Sequence, residues 1–172
     1  MTEAELLADA FERVRQGVNQ VVVGLDAAEL ALRLDPVANS VAWLIWHTSR
    51  VQDHHISEVA SVPQAYIADG FADAFGLPAE PSDIGYGHTS DQVAMVRPDG
   101  AAILLEYHDA VTRRTLAYVA TMDDQELNRI VDDSYDPSVS LGVRLVSVLN
   151  DNMQHVGQAK YVRGLIERAG LT

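Results

Sequence analysis

The chain has 172 residues, 48% of them hydrophobic, with no cysteine and twelve basic against twenty-five acidic side chains, for a formal charge of −13. That size suits one domain with a real hydrophobic core, and the apolar fraction excludes a disordered chain. The charge repels a phosphate backbone, so nucleic acid is not an expected partner, and without cysteine any thiol chemistry must use a thiol brought from outside.

The first window carries Leu7, Phe11, Val14, Val18, Val21 and Leu25 at alternating steps of three and four, one apolar stripe on a helix from Thr2 to Leu25. The second helix starts behind Asn39 and Ser40, either able to cap it, and runs to Ala60 with Leu44, His47, Val51 and His54 on its stripe. Residues 61–98 are rich in glycine and proline; so long a connection is expected to hold helical turns over Asp69 to Phe75 and Asp91 to Val96, the latter behind a Thr89–Gln92 capping box. Such a segment is a candidate lid or pocket wall. A third helix opens after Pro98 and Asp99 with Leu104, Tyr107, Val111 and Tyr118 on one side. The stretch from Asp123 to Ile130 reads as a further helical piece. The last helix begins near Ser140 and carries Leu141, Leu145, Val148, Asp151, His155, Ala159, Val162 and Ile166. All six prolines fall outside these windows. Four amphipathic helices make an all-α antiparallel bundle the natural fold, one domain over residues 1–172, and no alternating run suggests a sheet. The acidic start from Met1 to Leu6 is unlike a signal peptide, and no apolar run approaches the roughly 20 residues that span a bilayer, so a cytoplasmic protein without a membrane partner is expected.

The anomaly is polar chemistry on apolar stripes. Asp151 and His155 lie four apart, one turn above the other, on the face shared with Val148, Ala159 and Val162. A buried carboxylate there needs a partner. His47 interrupts the stripe of the second helix, so three side chains point inward from two helices a bundle can bring face to face. A carboxylate and two imidazoles are a ligand set for zinc, nickel or iron, and three protein ligands leave room for water or substrate. The alternative is a structural Asp151–His155 pair. His54, two turns after His47, is a fourth ligand, part of the pocket mouth, or equally a residue of a solvated helix end. His88, between the glycines of the Gly85–Thr89 run, is a candidate pocket residue, as is Arg50 for an anionic substrate. Arg144 and Arg163 are further candidate carboxylate binders. Gln154 and Gln158 flank His155 and could orient it. His55 and His108 are expected at the surface, and Trp43 and Trp46 in the core. No nucleophile elbow, phosphate-binding glycine loop or H-E-x-x-H motif is present.

Three blocks, Ala38 to Asp53, Gly85 to Thr89 and Ser147 to Gln158, together resemble the DinB-like metalloprotein superfamily, and most nearly its mycothiol-dependent transferase branch. The resemblance covers nearly the whole chain. It implies a four-helix bundle with long crossover connections and a divalent metal, zinc foremost, held by His47, Asp151 and His155. Many members carry histidine where Asp151 stands, which leaves the choice of metal open. It implies a transferase that adds or transfers a low-molecular-weight thiol, mycothiol above all, to an electrophilic small molecule, and a homodimer as in many members. The superfamily also implies an alternative, a metal-binding or stress-related interaction protein without turnover. Neither the catalytic residues nor the electrophile follow from the sequence.

Overall fold

The computed structural model describes residues 1–123 and 125–170. Four long helices dominate: α1 (Glu3–Val22), α3 (Val41–Ala60), α7 (Ala101–Val119) and α8 (Leu141–Ala169). Between them lie α2 (Ala27–Ala31), α4 (Ala65–Ala68), α5 (Phe71–Phe75) and α6 (Ser90–Met95). A 3-10 turn at Glu126–Asn128 and a hairpin of β1 (Ile130–Asp132) with β2 (Val139–Ser140) complete the chain. The starts of the long helices follow local chemistry. Thr2 closes a capping box with Glu5, and Ser40 and Ser140 accept from the backbone N–H groups of Trp43 and Val143. The α6 box between Thr89 and Gln92 forms as the sequence predicts. Two expectations need correction. The piece expected from Asp123 to Ile130 is only the 3-10 turn, with Asp124 outside the described residues, and a small antiparallel sheet exists, pairing Ile130 with Ser140 and Asp132 with Val139.

The helices do not alternate in direction. Bonds from Ser49 to His108 and from Gln52 to Thr115 advance together along α3 and α7, so these two run parallel. His47 faces Asp151 while His55 meets Arg144, so α8 runs against α3. Gln20 meets Lys160 and Arg163 reaches the carbonyl of Val23, so α8 runs with α1. A parallel α3–α7 pair forces the connection between them to return the length of the bundle, roughly 30 Å for helices of this size. That is why residues 61–100 are long, and why they wrap α3.

The wrapping explains a helix buried on nearly every side. Arg50 and Gln52 of α3 are fully buried, as are Ser49 and Asp53 to within 1%. Arg50 lies 4.1 Å above the ring of Tyr66 and donates to the carbonyls of Glu80, Pro81 and Asp83, the Gln64 side chain and the Tyr107 hydroxyl. Asp53 accepts from the backbone N–H groups of Ala65 and Tyr66 and from the Tyr107 hydroxyl. One buried cation and one buried anion thus fasten the returning segment to the helix that carries His47. The hydrophobic core contains Leu44, Trp46, Leu104 and Val111 in one cluster and Phe11, Ile56, Leu141 and Leu145 in the other.

Candidate metal centre

The antiparallel contact of α3 with α8 brings His47, Asp151 and His155 together, with one ligand atom from each lying within 4.8 Å of the others. His47 Nε2 is 3.8 Å from Asp151 Oδ2, and His155 Nε2 is 3.5 Å from Asp151 Oδ1. The imidazole rings meet edge to face at 4.7 Å between centroids. Each histidine is fixed through its other nitrogen. His47 Nδ1–H donates to the carbonyl of Ile84, and His155 Nδ1–H donates to Gln158 Oε1 at 3.0 Å. Both Nε2 atoms are therefore left facing the carboxylate, the arrangement in which outer hydrogen bonds orient imidazoles for a metal.

The three groups act on one another electrostatically. Burial holds His47 below the ordinary imidazole range, which favours its neutral form. Burial alone would raise the Asp151 carboxyl, but the hydrogen bond and charge of His155, with His47 and His55 behind it, bring it below its usual value. By accepting from His155, the Asp151 carboxylate in turn raises the imidazole above its ordinary range. Asp151 Oδ2 is nevertheless a buried acceptor without a hydrogen-bond partner. A buried carboxylate oxygen without a hydrogen-bond partner, beside two imidazole nitrogens, suits a cation. The donor separations are also near the edge of a tetrahedron with bonds of about 2.1 Å, roughly 3.4 Å. The residues fit a divalent ion.

The other candidates go elsewhere. Arg50 is wholly buried in the clasp described above and presents no donor to a ligand. His54 accepts from the Gln64 amide at 3.1 Å and, with His55 and Glu58, forms a second group of close ligand atoms. Arg144 stands 3.4 Å from His55 Nδ1 there, a resident cation that opposes a second one. His55 is thus not the surface residue expected; burial, then the charge of Arg144, lowers it to about 4. His108 is likewise a correction, being only 1% exposed against Ser49. Arg163 caps the end of α1 through the carbonyls of Gln20, Val21 and Val23, and Gln154 turns back to Asn150.

His88 lies over the site on the loop side. Its Nδ1 accepts from the Trp43 indole at 3.1 Å, and its Nε2–H donates to Asp83 at 2.8 Å. Trp43 stacks on the His47 ring at 4.7 Å and 10°. Sequence reasoning assigns Trp43 only to the core and does not single out Asp83 or Ile84; no signal in the sequence marks a backbone carbonyl 37 residues from the histidine it serves. Beside His155, a cleft of about 460 Å³ is lined by Asn39, Leu44, Gln158, Tyr161 and their neighbours.

A parallel α3–α7 pair and a wrapped α3, with two histidines and an aspartate brought together between α3 and α8, make a DinB-like helical bundle. The match to known families is specific. The chain belongs to the mycothiol-S-transferase family, whose family model matches residues 6–168. Among solved structures, a conserved protein from Enterococcus faecalis is similar at 28% identity over 96% of this chain and 98% of that one, with a TM-score of 0.89. No curated protein matches the chain. No helix among the described residues is long and apolar enough to cross a membrane.

Proposed function

We propose that the protein is a divalent-metal-dependent thiol S-transferase, joining a low-molecular-weight thiol, mycothiol, to an electrophilic small molecule. The observation that supports the metal is the convergence of two Nε2 atoms on the Asp151 carboxylate, whose Oδ2 has no hydrogen-bond partner. The thiol rests on family membership, with which the absence of cysteine is compatible. His47, Asp151 and His155 would hold the ion, with zinc foremost and nickel or iron compatible with the same donors. A divalent ion there supplies Lewis acidity, which lowers the proton affinity of a thiol and makes thiolate available at neutral pH.

The chain's own residues supply position. Ile84 and Gln158 hold the two imidazoles by Nδ1 so that both Nε2 atoms face Asp151. The Trp43 ring covers one face of His47 and keeps water from it. The neighbouring cleft is of a size that holds small ligands, and Gln158 belongs both to its wall and to the support of His155. Catalysis then consists of bringing thiolate and electrophile together in the required geometry.

The test pairs elemental analysis with turnover. Purified protein is expected to carry about one divalent ion per chain, the number that three convergent ligands predict. That ion should be absent from His47→Ala, and loaded protein should consume a generic electrophile only when mycothiol is present. Metal retained in the variant would sink the ligand assignment. Metal without thiol-dependent turnover would favour a metal-binding protein that does not catalyse.

A further inference from the structure

We propose that Asp83, His88 and Trp43 form a clamp that sets the tautomer and ring plane of His47, and so act as positioning residues for the metal site rather than as substrate contacts. The inference rests on the metal-centre reading above and extends it to residues outside the ligand set.

The clamp is a closed chain of bonds. Asp83 Oδ1 accepts from both His88 Nε2–H and the backbone N–H of Gly85, at 2.8 and 3.0 Å. His88 therefore keeps a bare Nδ1, which can only accept, and the Trp43 indole supplies the donor. With the indole anchored at its nitrogen, its face is held parallel to the His47 ring. On the opposite side Trp46 stacks on His88 at 5.7 Å. Both His88 nitrogens are consumed and its side chain is only 9% exposed, so nothing of it remains to meet a substrate.

The same loop delivers the carbonyl that His47 needs. Gly85 has φ +90°, and a Cβ there would stand 3.0 Å from His47 Nδ1 and 3.1 Å from Trp43. Only a glycine lets the backbone lie this close to the imidazole while Ile84 presents its oxygen to Nδ1. Asp83 fixes the turn through its side chain, and its own carbonyl accepts from the buried Arg50. The position of the Ile84 oxygen is thus determined from the core outward.

The experiment measures zinc affinity, by competition with a chromophoric chelator, for His88→Phe, Asp83→Ala, Asp83→Asn and Trp43→Phe. It also reads the His47 tautomer in metal-free protein by nitrogen-15 NMR. His88→Phe and Asp83→Ala should lose about 10- to 100-fold in zinc affinity, the usual effect of removing an outer partner of a ligand. Asp83→Asn should stay near wild type, since its amide oxygen still accepts both bonds. Trp43→Phe keeps a stacked ring without the donor and should fall between them. In metal-free wild type His47 should be the Nδ1–H form, becoming mixed in His88→Phe and Asp83→Ala. Circular dichroism at the assay temperature separates these effects from unfolding, and Trp43→Phe and Asp83→Asn carry the comparison if the harsher variants do not fold. Unchanged zinc affinity and tautomer in folded variants would overturn the clamp. So would unchanged affinity with a raised KM for thiol, which would make His88 a substrate contact. If wild type binds no zinc the metal reading fails, while the tautomer still decides whether the clamp acts on His47.

Discussion

His108 shows how a single side chain links burial to pH. It sits on α7 with its Nδ1 against Ser49 Oγ at 3.1 Å, and its Nε2 is buried without a partner. Ser49 gives its own proton to the Ile45 carbonyl, so His108 donates through Nδ1 and stays neutral. Burial lowers its pKa from 6.5 to about 4. The unfolded chain therefore takes up this proton first as pH falls. The stability associated with His108 is complete above about 6.5, declines from there toward 4, and amounts to roughly 3 kcal/mol over the window. Chemical denaturation across pH 7.5 to 4.5 should show a shallower decline for His108→Gln, which keeps a polar group but does not titrate. An identical slope in the variant would mean that His108 is solvated in the native state.

At the scale of elements, Arg50 joins α3 to the returning connection. Its planar fork meets three backbone carbonyls and two side chains at once, geometry that a lysine ammonium does not reproduce. Breaking a fully buried charge arrangement of this kind costs about 3–5 kcal/mol. Arg50→Lys should therefore lower the melting temperature and raise amide hydrogen exchange over residues 80–88 more than over α1. Uniform exchange changes along the chain would show that Arg50 stabilises the whole bundle and not this segment. Elements of this kind were only partly legible beforehand. Thr2, Ser40, Thr89 and Ser140 announce helix starts because capping is local chemistry within three residues. Arg50 and Asp53 are opaque because their partners lie in residues 64–83 and at Tyr107, at distances no periodicity records. For the same reason His108 reads as surface, its hydroxyl partner being 59 residues away on another helix.

Across the whole molecule, the arrangement of α3 parallel to α7 and against α8 is what makes the site. His47, Asp151 and His155 were legible because each is a polar residue on an otherwise apolar stripe, and a bundle turns such stripes toward one another. Their supports were not, since Ile84 contributes only a carbonyl and Asp83 acts through His88. The three proposed ligands come from two helices about 100 residues apart, so an ion held by them would tie elements that are separate in the unfolded chain. Binding only the native state stabilises it by RT ln(1 + [L]/Kd), about 2.7 kcal/mol at a hundredfold excess over Kd. For a domain of this length that corresponds to a rise in melting temperature of roughly 5–10 °C. Zinc added to metal-free wild type should produce such a shift, whereas His155→Ala should show none, although both share the acidic surface that a formal charge of −13 provides. Equal shifts in the two proteins would assign the effect to that surface. A shift in wild type alone assigns it to the helix-bridging triad, since loss of one imidazole changes the ligand set while leaving the surface charge at pH 7.5 almost untouched.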